Sequence, residues 1–91
     1  MAGTIGITGA QVQLRYGLSE QDITAANLET TPFILTADSE VNVELGDAGL
    51  TYTALSADKK KRAEEAVIAL TGVRLRDHAA MAETLRFGGV A

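Results

Sequence analysis

The sequence predicts a mainly α-helical fold, a small three- to four-helix bundle with extended N- and C-terminal arms. Apolar residues recur at helical spacing in two long stretches, Ile34 to Leu45 and Ala63 to Arg74. A capping residue precedes each stretch, Thr31 before the first and Ser56 before the second. Glycines punctuate both ends of the chain, at Gly3, Gly6 and Gly9 and again at Gly88 and Gly89, where they favour extended chain. The chain divides accordingly into a Gly-rich arm over residues 1–17, a helical domain over 18–83 and a tail over 84–91.

Each element has its own justification. Gln11 to Tyr16 alternates Val12, Leu14 and Tyr16 with Gln11, Gln13 and Arg15, the period of a half-buried or edge strand. Gly17 breaks that pattern. Ser19-Glu20-Gln21-Asp22 then resembles a capping box and starts a short helix over 20–28, with Ile23, Ala26 and Leu28 turned inward. Thr31-Pro32 opens the next helix, with Pro at the first helical position, where a missing N–H costs nothing. Ile34, Ala37, Val41 and Leu45 form its inner face, Leu35 and Asp38 its flank, and Gly46 its stop. A strand is the rival reading here, since Val41, Val43 and Leu45 also alternate with Asn42 and Glu44. The cap, the stop and the full-length period favour helix.

Residues 47–55 read as a loop held to the core by Leu50, Tyr52 and Leu55. Ser56 caps the strongest helix, whose inner face runs Ala63, Ala66, Val67, Leu70, Val73 and Arg74. Lys61, Glu64, Glu65 and Ile68 fall on the opposite face. Gly72 costs about 1 kcal/mol relative to Ala inside a helix, and marks a bend or a close helix contact.

Ninety-one residues suffice for one domain with a modest core, because the 46% hydrophobic content is rich in Ala and only 4% aromatic. Cysteine is absent, which excludes disulfides and thiolate metal sites. The longest apolar run, Ala66 to Leu70, is far too short to span a bilayer, so no membrane partner is expected. The N-terminus lacks the basic flank and apolar run of a signal peptide, which makes synthesis in the cytoplasm the default.

Charge is segregated along the chain. Between Tyr16 and Asp58 stand eight acidic residues and no Lys or Arg, whereas Lys59 to Ala91 holds seven basic residues against four acidic. A chain with one acidic and one basic half can dock head to tail on copies of itself or on a charged partner. The densest cationic run, Lys59-Lys60-Lys61-Arg62, sits at a helix start, where it opposes the helix dipole. It reads either as a solvated face or as a docking patch for the Glu40, Glu44 and Asp47 region of a neighbouring copy. DNA phosphates are a third choice, weakened by the acidic pI and the lack of interleaved aromatics.

Catalytic chemistry has little to build on. His78 is the only histidine and has no second His or Cys to share a metal with. Asp77 beside it points about 100° away on a helix, so a surface histidine is the simpler reading. No nucleophile triad, phosphate loop or carboxylate pair stands out, and no enzyme, cofactor or metal is expected. The tail residues Leu85, Arg86, Phe87, Gly88, Gly89 and Val90 read as ordinary terminal chain or as an apolar anchor on a flexible tether.

The order of these signals resembles the small helical head–tail connector (adaptor, or head-completion) proteins of long-tailed bacteriophages. The resemblance runs over 18–78, through Leu18-Ser19-Glu20-Gln21-Asp22-Ile23, the acid-bearing helix from Phe33 to Leu45, Tyr52-Thr53-Ala54-Leu55 and the long helix ending Ala-Val-Ile-Ala-Leu-Thr-Gly-Val-Arg-Leu. The arm before Leu18 departs from the family pattern. The resemblance implies a non-enzymatic virion protein at the head–tail junction, in a closed ring of about twelve copies. Its implied partners are itself, the portal, and a stopper or other neck protein, with DNA passing through the channel. The resemblance implies that the tail from Thr84 to Ala91, with Leu85 to Val90 as its docking residues, reaches the portal. The rival from a different class is a small cytoplasmic binding or regulatory module, antitoxin-like, that folds on its target.

Overall fold

The computed structural model describes residues 4–88, with side chains described as far as Ala79. Among these residues there are four helices, α1 (Gly9–Tyr16), α2 (Ala25–Leu28), α3 (Ile34–Asp47) and α4 (Ala57–Gly88), with a 3₁₀ turn at Tyr52–Ala54 before the last. The small, mainly helical bundle expected from the sequence is the fold observed. α3 and α4 make the most extensive packing in the molecule, a helical hairpin closed by the short 48–56 connection. α1 packs on both α2 and α4.

The N-terminal region differs most from expectation. Residues 11–16 form a helix, not a strand, and the described residues before them, 4–10, are not a free arm. Thr8 and Gln11 make a reciprocal capping box, in which Gln11 N–H donates to Thr8 Oγ1 (3.2 Å) and Thr8 N–H donates to Gln11 Oε1 (2.8 Å). Gly17, left-handed at φ 65°, closes α1. Upstream, Ile5 and Ile7 alternate into the core while Thr4, Gly6 and Thr8 face out. Ile5 N–H donates to the buried carboxylate of Asp38 (2.8 Å), tying this extended segment to α3.

The starts of α2 and α3 are displaced from the predicted positions. Ser19 and Asp22 do make the capping-box pair, with Ser19 N–H donating to Asp22 Oδ2 (2.8 Å), but they close a turn. Helix begins later, where Thr24 caps Asn27 N–H and Glu20 accepts from Ala25 N–H (2.8 Å). Leu28 is fully buried, Ile23 half-buried and Ala26 exposed, so one of the three residues predicted to face inward does not. α3 starts at Ile34 instead of Pro32, because Phe33 N–H donates back to Thr30 O (2.9 Å) and the chain turns there. The Thr31–Pro32 bond is cis. The inner face of α3 is as predicted, with Ile34, Ala37 and Val41 buried and Leu45 half-buried; Asp38 joins them.

α4 is buried on two sides. Ala63 and Val67 occupy the predicted face, yet Ile68 on the other side is only 5% exposed because α1 lies against it. Gly72 marks a close helix contact: a Cβ there would run into the Tyr16 hydroxyl. That hydroxyl donates to the Ile68 carbonyl (3.0 Å), locking α1 onto α4. Thr71 satisfies its buried hydroxyl within the helix by donating to Val67 O (2.7 Å). The predicted tail also changes, since the helix continues through 84–88. The side chains of Leu85, Arg86 and Phe87, and Gly89 and Val90 altogether, lie outside the described residues.

Candidate functional site

The hairpin packs only one side of its two helices together. α3 has apolar residues on both flanks of its inner face, so burying Ile34 and Ala37 leaves Val43 pointing outward, 59% exposed. Leu50 in the connection is 42% exposed on the same side. Between them and the Ala63–Leu70 stretch of α4 lies an open apolar groove of about 780 Å³, floored by Val41, Leu45, Leu55, Ala66 and Leu70. Alanine at positions 63 and 66 of α4 is part of the cause, because so small a side chain cannot fill the space beside α3.

The groove carries opposite charges on its lips. Glu40 and Glu44 line the α3 side, and Lys59 and Arg62 line the α4 side. These four were predicted as partners across two copies; within one copy they flank a single groove. Glu40 is already engaged by the guanidinium of Arg74, while Glu44, Lys59 and Arg62 make no ion pair among the described residues. Asp47, the remaining predicted acid, is exposed at the end of α3 and does not line the groove.

The cationic run is thereby divided among different environments. Helical geometry turns successive residues by about 100°, so four adjacent cations cannot share one face. Lys60 lies over the Tyr52 ring, with Nζ 5.7 Å from its centre. Tyr52 in turn donates its hydroxyl to Glu64 (2.7 Å). That bond to the neutral phenol, with some loss of water and the Glu64 charge, raises the Tyr52 pKa above its ordinary value. Lys61 points to the far side of α4.

On that far side stands the most exposed large apolar side chain described, Leu14, at 87%. It rises from α1 at a smaller, more polar depression that it lines together with Ile7, Gln11, Lys61 and Ile68. Arg15 crosses from α1 to α4 and donates twice to Glu65, at 2.6 and 2.7 Å. Those hydrogen bonds, aided by the Arg15 charge and opposed by desolvation, hold the Glu65 carboxyl below its ordinary value of 4.5. A carboxyl depressed in the folded state adds stability above its unfolded pKa and loses it as pH falls through the folded one. We therefore expect Glu65→Gln to lower the denaturation midpoint at neutral pH. The gap to the parent should close as pH drops below 4.5, and also in high salt. Urea titrations at several pH values read this directly.

Sequence reasoning missed Val43, Leu50 and Leu14 as surface features. Val43 had a signal, the strand-like alternation that places apolar residues on both sides of α3. Leu14 was hidden by reading residues 11–16 as a strand, which would have turned Val12, Leu14 and Tyr16 the same way. His78, the lone histidine, is exposed and meets Phe33 edge-on, with ring centres 5.4 Å apart. No family model, curated protein or solved structure matches the chain. Among the described residues no helix is long and apolar enough to cross a membrane.

Proposed function

We propose that this chain is a structural adaptor, a subunit of the ring that joins portal to neck and tail in a tailed bacteriophage. The observation that carries the reading is the open apolar groove between α3 and α4, with acidic and basic lips on a bundle of modest core. Groups left unfilled and unpaired in one chain are what a neighbouring subunit would supply. The sequence resemblance to head–tail connectors supports the same reading, as does the segregation of charge along the chain.

Two measurements test it. Quantitative mass spectrometry of purified particles should count about a dozen copies per particle, since a closed ring holds a small fixed number. Hundreds would place the chain in the capsid or tail tube. Absence would favour the cytoplasmic binding module, whose target would then occupy the groove. The second measurement is charge reversal at the α4 lip. Lys59→Glu with Arg62→Glu should leave the fold intact, because both side chains are exposed, and should abolish assembly. Normal particles carrying this variant would remove the docking role of the basic lip.

A further inference from the structure

The groove needs an occupant, and the chain itself presents one. Leu14 is exposed almost as fully as in an unfolded chain, although α1 is otherwise anchored by Val12, Tyr16 and the Arg15–Glu65 pair. Its preceding turn offers Ala10, also exposed, on the same stripe of α1. The knob and the groove lie on opposite sides of α4. The groove residues Arg62, Ala66 and Leu70 and the Leu14-side residues Lys61, Glu65 and Ile68 are centred roughly 130° apart around the helix. A subunit with a knob on one side and a hole on the other is built for heterologous, head-to-tail contact.

We infer that the Leu14 ridge of α1 docks into the α3–α4 groove of a second copy of this chain. The inference deepens the ring reading and rests on it. Charge favours the same contact. Lys61 stands beside Leu14 with no ion pair among the described residues, and Glu44 stands equally unpaired on the groove's acidic lip. Seating Leu14 against Val43 and Leu50 covers the apolar side chains that the isolated chain leaves in water. α1 is about 12 Å long, so its ridge matches a groove flanked by only a few turns of helix.

The absence of cysteine makes the contact easy to test. Full-length chains carrying only Leu14→Cys and chains carrying only Val43→Cys are oxidised separately and mixed, with assembly followed by light scattering. The expected result is a cross-linked dimer in the mixture that neither chain gives alone, and a ladder from the double variant. Val43→Cys dimers forming alone would mean groove-to-groove, twofold pairing and would overturn the inference. An assembly that scatters as a ring yet shows no Leu14–Val43 cross-link would overturn the inference while the ring reading stands. A chain that stays monomeric overturns it too, and the copy number in particles then decides the ring reading separately. Leu14→Ser supplies the control for folding. At so exposed a site it should leave circular dichroism and Tm unchanged while weakening association about ten- to a hundredfold, the worth of one buried leucine side chain. Undiminished association of this variant would also overturn the inference.

Discussion

Replacing Gly9 with alanine is expected to destabilise the protein by about 3 kcal/mol, at the upper end of the usual cost of overpacking. Gly9 is the first residue of α1 and is buried. A Cβ built there would lie 2.1 Å from the carbonyl oxygen of Ala25 and 2.6 Å from its carbonyl carbon and Cα. All three are backbone atoms, so no side chain can rotate out of the way. α1 and α2 would have to separate, which would stretch the bond from Gly9 N–H to Glu29 Oε2 (3.0 Å). Domains of this size have only about 5–15 kcal/mol of stability in total, so the loss would be large. The urea midpoint should fall with little change in the slope of the transition. A midpoint within error of the parent would mean that α1 does not pack on α2 as described.

Asp38→Ala is expected to cost about 3 kcal/mol by a different route. Its carboxylate is 3% exposed and accepts from Ile5 N–H (2.8 Å) and from the Asn42 side-chain amide (2.8 Å). Truncation leaves the Ile5 N–H buried with its acceptor removed. The N-terminal segment would then lose its only described hydrogen bond to α3, though Ile5 and Ile7 would keep their apolar contacts. Asp38→Asn should cost less. Its oxygen can still receive the Ile5 N–H, but its amide then confronts the Asn42 amide, which also donates to the Asp38 carbonyl (3.0 Å). Hydrogen exchange distinguishes the two variants: the Ile5 amide should lose its protection in Asp38→Ala and keep part of it in Asp38→Asn. Equal protection in parent and Asp38→Ala would show that the carboxylate does not hold the segment.

Gly9, and the Ile5 segment that Asp38 holds, lie in the part of the chain that sequence pattern read least well. The alternation of Val12, Leu14 and Tyr16 spans too few residues to tell a period of 2 from one of 3.6. A better signal was local and chemical. Thr8 and Gln11 have the spacing of a capping box, and Gly17 is placed to end a helix, so the helix was legible from its ends more than from its middle. At Ser19–Asp22 the same chemistry misled, because a capping box can also close an isolated turn. The start of α3 was misplaced for a related reason: Thr31 and Pro32 fit a helix start, but the chain uses them in the turn that brings Phe33 into the core.

The sequence by itself determined the helical class, the inner face of α3, a short connection after it and the Ser56-capped helix that follows. Each rests on a pattern repeated over several turns or on a cap acting within three residues, and such signals need no distant partner. Only the tertiary structure decided that α1 is a helix docked on α4, that Ile68 is therefore buried, and that Gly72 receives the Tyr16 ring. It alone decided that Glu40 and Glu44 face Lys59 and Arg62 across one groove, and that Val43, Leu50 and Leu14 are left to solvent. Exposure is a property of what packs alongside a residue, and those neighbours come from segments up to about 50 positions away. Composition and periodicity do not encode which of two apolar faces of a helix will find a partner within the same chain.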